Sequence, residues 1–317
     1  MTRRAWVAMA AVSVMWGLPY LFIKVAVDDG VPPAFLAWVR IVIGAAALVT
    51  LSWRLGLLAQ LRGRWRWLAV FAVVELVGPF PLIAVGEQHV DSSVAAIIIA
   101  AAPLFVALLA LRFDATERVG GRRLVGLVVG LTGVAALVGV DVSGEADELW
   151  GAGAILVAAF GYAVGPMVLK RQLSDLDARA SMAGALVVAS LALLPFAAAD
   201  PPDGVPPGSA LVALAVLGLV CTAAGLVGYG ILVAEVGAGR ALVVTYINPV
   251  VALALGIAFL DERPGVGSLA GLVLILVGSW LSTRTDTADG ADGTGGTDTE
   301  ATGTVDAADL TPGAAPR

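Results

Sequence analysis

Two ionisable side chains stand inside long apolar runs, Glu75 among residues 67–86 and Arg40 among residues 34–53. At mid-bilayer depth such a group costs at least ~2.5–3.5 kcal/mol, so it normally faces a cavity or a partner. Glu75, four residues before Pro79, is placed to bind a cationic or amino group or to exchange a proton; the competing reading is a structural glutamate, protonated or paired with Arg40. Arg40 lies about a turn and a half from the end of its run, where it can snorkel or pair, and is expected to be structural. Trp16, Tyr20, Tyr162, Tyr229 and Tyr246 are also inside apolar runs. Their faces pack and their polar tips hydrogen-bond, which suits a cavity accepting amphipathic solutes, with core packing as the alternative. Asn248 follows Thr245 by almost a turn and either contacts a solute or caps a broken helix. Trp16, Tyr20, Glu75, Tyr162, Tyr246 and Asn248 are the expected substrate-binding residues.

Prolines inside apolar runs free a carbonyl one turn back, which is tolerated where the helix borders protein or a water-lined cavity. Pro19, Pro103, Pro166 and Pro249 are expected helix breaks, with Pro79, Pro81 and Pro195 as further interruptions. His89, the only histidine, stands between Glu87 and Asp91 in a connecting segment and reads as solvated, without partners for a metal. Cys221, the only cysteine, reads as a small core residue and excludes an intramolecular disulfide. No G-x-x-x-x-G-K-[ST] loop and no H-E-x-x-H occurs, so neither nucleotide-driven pumping nor common membrane hydrolysis is expected, nor is any cofactor or metal.

The elements that hold these residues are long and apolar. With 59% hydrophobic and 14% charged residues in 317, the chain departs from soluble composition, where apolar usage is nearer half. Spanning ~30 Å of hydrocarbon takes ~20 apolar residues. Ten candidate spans run approximately over 5–24, 34–53, 67–86, 92–111, 124–140, 149–169, 180–199, 210–232, 241–260 and 266–283. The first, though preceded by Arg3 and Arg4, is too long for a signal peptide and is expected to be retained. Arginines and lysines collect on one side of this ladder, at Arg54, Arg62, Arg64, Arg66, Arg112, Arg118, Arg122, Arg123, Lys170, Arg171, Arg179, Arg240 and Arg284 besides the first two. The opposite loops carry acids and only Lys24 and Arg263, so both termini are expected in the cytoplasm. Residues 285–317, rich in Thr, Gly, Asp and Ala, are expected to form a disordered acidic cytoplasmic tail. The net charge of −6 belongs to that tail. The body is balanced, and no nucleic-acid partner is expected.

The spans repeat. Glu117-Arg118, Gly126 and Gly133 recur at an offset of 145 as Glu262-Arg263, Gly271 and Gly278; Lys24 and Pro103 recur at 146 as Lys170 and Pro249, and Trp16 is matched by Tyr162. Two halves of five spans each, 1–140 and 141–284, must enter the membrane from opposite sides because five is odd. The expected fold is therefore an all-α membrane protein, ten transmembrane helices as two inverted five-helix repeats. Inverted repeats give a site open alternately to each side. Gly126, Gly130 and Gly133 in the fifth span, with Gly267, Gly271 and Gly278 in the tenth, form small-residue faces for mutual packing or for a homodimer.

The order of these features resembles the EamA type of the drug/metabolite transporter superfamily over residues 5–283. Met15-Trp16-Gly17 through Lys24 is similar to that family's first helix, and Ala102-Pro103 and Ile247-Asn248-Pro249 to its fourth and ninth. The second-half equivalent of Arg40 is Leu186, a departure from the repeat. The resemblance implies a central cavity lined by the first, third, fourth, sixth, eighth and ninth helices, with the fifth and tenth peripheral. It also implies export of amino acids, small metabolites or drugs across a bacterial inner membrane, with a small-molecule substrate and the lipid bilayer as partners. Proton coupling through Glu75 is a corollary, and the chain acts as a monomer or homodimer. Two other classes are weighed: a scaffold or receptor component using the tail, and a membrane enzyme acting on a lipid-linked group, which would need a second carboxylate at the depth of Glu75.

Overall fold

The computed structural model describes residues 2–113, 121–140 and 146–283. Besides short helical turns at Leu57–Leu61 and Ala238–Ala241, ten longer helical elements follow in chain order: α1 (Arg3–Asp28), α2 (Pro33–Arg54), α3 (Trp65–Gly86), α4 in two pieces (Ser92–Ile99 and Ala102–Phe113), α5 (Gly121–Val140), α6 (Ala146–Gln172), α7 (Ala178–Ala199), α8 (Gly208–Val236), α9 (Val243–Phe259) and α10 (Val266–Thr283). Seven are long and apolar enough to cross a bilayer, and shorter apolar helices Leu124–Gly139, Val243–Phe259 and Val266–Ser282 complete the ten. Among the described residues there is no strand. The recurring Glu117-Arg118 pair and the expected disordered tail at 285–317 lie outside the described residues.

Helix ends follow local chemistry. Thr2 caps α1 through Oγ1 to Ala5 N at 3.1 Å, and Pro33 opens α2, where its missing N–H costs nothing. Asp177 caps α7 by accepting from Arg179 N, and the side chain of Arg179 holds its carboxyl below the usual range. Leu191, Phe196 and Val273 stand more than half exposed on helix faces, which fits lipid as the surrounding solvent.

The main contacts between the halves are symmetric to their exchange, although α4 also meets α10 without an equal α9–α5 contact among the described residues. α1 packs on α8 and α9, and α6 packs on α3 and α4; α2 packs on α8, and α7 on α3; α2–α7, α4–α9 and α5–α10 are self-paired. Each half therefore buries its apolar faces largely against the other. The α5 and α10 backbones approach closely. A Cβ added at Gly133 would stand 2.7 Å from Leu274 Cβ and 3.0 Å from Gly271 O, and one at Gly126 would meet Gly278 O at 2.8 Å. Gly126, Gly133, Gly271 and Gly278 are thus spent on the opposite helix, while a Cβ at Gly130 would meet Leu104 of α4.

Candidate functional site

The third and eighth helices each widen at mid-length. Pro79 has no N–H to return to the carbonyl of Glu75, and Gly78 N bonds instead to Val73 O, five residues back, at 3.0 Å. This π turn covers Val73–Val77 and carries Glu75. The equivalent stretch of α8, Val216–Ala224, is also a π turn, although it holds no proline. There Thr222 Oγ1 donates to Leu217 O, again five residues back, at 2.8 Å. At the offset of 146, Glu75 corresponds to Cys221. π turns often mark functional sites because they aim side chains off the regular helical face.

Each π turn is crossed by the first helix of the other half. α6 passes over α3 at Gly161, where an added Cβ would stand 2.5 Å from Val74 O, and at Gly165, where it would stand 2.9 Å from Glu75 Cδ. α1 passes over α8 at Gly225, 2.6 Å from Trp16 Nε1 by the same measure. Trp16 stacks obliquely on Tyr229 with centroids 4.8 Å apart. Its repeat mate Tyr162 packs against two apolar clusters at once, one containing Tyr20, Ile97 and Ile155, the other Phe71, Phe80 and Leu186.

Arg40 is 7% exposed and neither snorkels nor pairs with Glu75. Its Nε donates to Thr222 Oγ1 at 3.0 Å, and its guanidinium lies 4.1 Å from the ring centroid of Phe80. Tyr162, Cys221, Tyr20 and Glu87 are its electrostatic neighbours. Glu75 is also in electrostatic range of Tyr162, with Oε2 buried and unpartnered. The structure thus brings together Tyr20, Glu75 and Tyr162, which the sequence singled out for binding, with Arg40 and Thr222, which it did not.

The remaining expected residues lie along α1 and α9. With its amide nitrogen turned toward the carbonyls, Asn248 donates to Val244 O at 2.8 Å and to Ser13 O at 3.2 Å, tying α9 to α1. Tyr246 is half-buried on α9. Pro19 and Pro249 are buried within continuous helices, Pro166 is exposed on α6, and Pro103 follows the interruption of α4 at residues 100–101. Pro103 alone of these four adjoins an interruption of its helix.

Both ends of the seam between halves are tied. At the acid-rich end the Glu262 carboxylate accepts from Ser92 N at 2.8 Å and Ser93 N at 3.1 Å, and Ser209 donates to Asp29 at 2.5 Å. At the arginine-rich end Arg64 pairs with Asp175, and Arg4 pairs with Glu235 at 2.8 Å. Glu87, expected in a solvated loop, is fully buried with both carboxyl oxygens unpartnered, just beyond α3. Lys24 donates to the main-chain oxygen of Glu87 at 2.9 Å rather than to its carboxylate. A groove of about 250 Å³ opens along α6, lined by Trp67, Leu109, Val164, Met167, Val168, Arg171 and Gln172. Among the described residues no group of His, Cys, Asp and Glu could hold a metal.

A ten-helix bundle of two exchanged halves with a polar seam is matched by a family model twice, over residues 4–139 and 149–284. The chain belongs to the EamA-like transporter family. It is a multi-pass membrane transporter, not an enzyme, with a small-molecule substrate. Among its relatives, the "Uncharacterized transporter YoaV" of Bacillus subtilis is 25% identical over 87% of this chain and 95% of that protein. A "Probable terminal-alkyne amino-acid exporter" of Streptantibioticus cattleyicolor is 29% identical over 90% of this chain and 94% of that one. A solved crystal structure shares the EamA-like fold at TM-score 0.64 and 19% identity, covering 89% of this chain and 97% of its own.

Proposed function

We propose that this EamA-like protein is a secondary active exporter of amino acids, related small metabolites or drugs, working by alternating access. The observation that carries the reading is the exchange symmetry of the packing, with a polar cluster at the seam. Two equivalent halves that bury their faces against each other have two equivalent arrangements, each opening the seam to one side. The ties at the two ends then break in turn: Glu262 with Ser92 and Ser93 at one, Arg64 with Asp175 at the other. The printed name of the Streptantibioticus relative, an amino-acid exporter, supports the substrate class.

In this reading the repeats are 1–140 and 141–284, both termini are cytoplasmic, and the membrane is a bacterial inner membrane, as the arginine asymmetry supports. Trp16, Tyr20, Glu75, Tyr162, Tyr246 and Asn248 line or shape the path, and Pro103 and Pro249 adjoin it. Glu75 binds an amino group or carries the coupling proton, since its orphaned carboxyl oxygen has no structural use. A monomer suffices, because the α5 and α10 glycine faces are occupied internally.

The test is uptake into inverted vesicles with and without a pH gradient, for wild type and Glu75→Gln. Gradient-driven uptake by wild type and its loss in the variant are expected; equal gradient dependence in both removes Glu75 from coupling. Deleting residues 285–317 should leave uptake intact, whereas a scaffold acting through its tail would lose function.

A further inference from the structure

We infer that Arg40 is the receptor for the carboxylate of the transported solute, an assignment that rests on the transporter reading above. A buried intramembrane cation ordinarily recovers its desolvation cost from a carboxylate. Arg40 does not. Among the described residues none of its nitrogens lies within 4.0 Å of an acidic oxygen; its partners are the hydroxyl of Thr222 and the ring of Phe80. The acid in electrostatic range of Arg40, Glu87, leaves both carboxyl oxygens unpartnered rather than reach it, and Glu75 likewise leaves Oε2 unpartnered.

What those two partners do is fix the guanidinium. Thr222 spends its own hydrogen on Leu217 O, so it can only accept from Arg40, and Nε is held at 3.0 Å. The ring of Phe80, 4.1 Å away, lies against the guanidinium and limits its tilt. Among the described residues nothing bonds the two terminal amino groups. Two parallel N–H groups at the free edge of a fixed guanidinium are the fork that takes a carboxylate bidentately.

The surroundings narrow the ligand. The ionisable groups in electrostatic range of Arg40 are Tyr162, Cys221, Tyr20 and Glu87. With no second Lys or Arg beside it, one guanidinium balances a monoanion such as a carboxylate rather than a doubly charged phosphate. Tyr20 and Tyr162 add aromatic faces and hydroxyls, and Glu75, also in electrostatic range of Tyr162, offers the complementary site for an ammonium group. Arg40 has Leu186 as its repeat mate, so the receptor exists once, on one side of the pseudo-symmetric seam. A single binding orientation follows.

The decisive comparison uses the purified full chain in detergent and the twenty L-amino acids, each beside its α-amide and its decarboxylated amine, read by thermal stabilisation and tryptophan fluorescence. The expected result is that at least one amino acid binds wild type and that its amide and amine bind at least tenfold more weakly. Arg40→Gln should bind acid and amide alike, and Arg40→Lys should keep part of the preference. Amides binding as tightly as acids, no acid binding at all, or an unchanged acid preference in Arg40→Gln each overturn the assignment. If Arg40→Gln does not fold, the wild-type acid and amide series decides. Amides or amines exchanged in proteoliposomes as well as acids would sink the carboxylate receptor and leave the transporter standing; no exchange of any solute would sink the transporter reading itself.

Discussion

Glu262, beyond the end of α9, accepts a hydrogen bond from the backbone N–H of Ser92 at 2.8 Å, the first residue of α4. Its second oxygen takes Ser93 N at 3.1 Å. A carboxylate from one half therefore occupies the N-terminus of a helix in the other, where orphan amides and the helix dipole both favour negative charge. Charge-assisted hydrogen bonds of this kind contribute roughly 1.5–3 kcal/mol each. Glu262→Ala should lower the melting temperature of the purified protein by several degrees, and Glu262→Gln by less, since one amide oxygen still accepts. Equal stability of Glu262→Ala and wild type in a thermal scan would show that the contact is not a fastening.

The α5–α10 seam makes a second prediction. A side chain at Gly271 would meet Leu137 Cβ at 2.9 Å and Gly133 O at 3.0 Å, so the backbones must separate to admit it. Gly271→Val should reduce stability by roughly 1–3 kcal/mol through overpacking, with loss of expressed protein. Gly139, whose added Cβ meets nothing within 4 Å, is the control. Matching thermal scans for Gly271→Val and Gly139→Ala would refute the close packing.

A third prediction concerns pH. Burial raises the Glu87 carboxyl well above the ordinary carboxylate range; Lys24 opposes the rise, Glu262 adds to it, Arg40 opposes it and Asp28 adds to it. The folded state thus holds this proton more tightly than the unfolded state. The stability contributed by the neutral form is complete below the unfolded pKa, near ~4.3, and is lost as pH rises toward the folded value. Glu87→Gln keeps the neutral shape and abolishes the titration. It should melt higher than wild type at pH 7–8 and show a flatter dependence between pH 5 and 8. A wild-type slope retained in Glu87→Gln would mean that another group titrates.

Thr222 supplies a fourth. Thr222→Val leaves Arg40 Nε without its acceptor, at a cost of about 1–3 kcal/mol, and frees the guanidinium to rotate. The expected effect on transport is a raised KM for acidic solutes with little change in kcat, restored by Thr222→Ser, which keeps the hydroxyl. An unchanged KM in Thr222→Val would show that Thr222 does not position Arg40.

Much of this architecture could be read from residue order. The ten apolar stretches lie within a few residues of the ten helices, because backbone polar groups in hydrocarbon must be satisfied within each span. The recurrence of Pro103 as Pro249 and of Gly126 as Gly271 announced two halves before any coordinate. The interruption of α4 beside Pro103 and the π turn before Pro79 follow from a missing N–H, which is a local cause. The π turn of α8 has no such marker. It is supported by a side-chain bond from Thr222 to its own helix and by Arg40 from a residue 182 positions away. Contacts of that separation leave no local pattern, so Thr222 went unnoticed. Glu87 misled for the same reason: a charged residue in a turn reads as solvated, and its burial depends on α1 and the turn after α9 closing over it. A usable sign was available in Arg40, whose repeat mate is Leu186. A charge present in one copy only is not required by the packing that both copies share.

The central claim, a solute path along the seam between the halves, is tested most directly by counterflow in proteoliposomes of the purified full chain. Vesicles loaded with a mixture of unlabelled amino acids are diluted into each labelled amino acid in turn, with wild type beside Tyr162→Ala. The account predicts transient accumulation of at least one labelled amino acid by wild type and at least a tenfold slower exchange in Tyr162→Ala. Exchange no faster than in protein-free vesicles for every amino acid, or equal exchange by wild type and Tyr162→Ala, would contradict it.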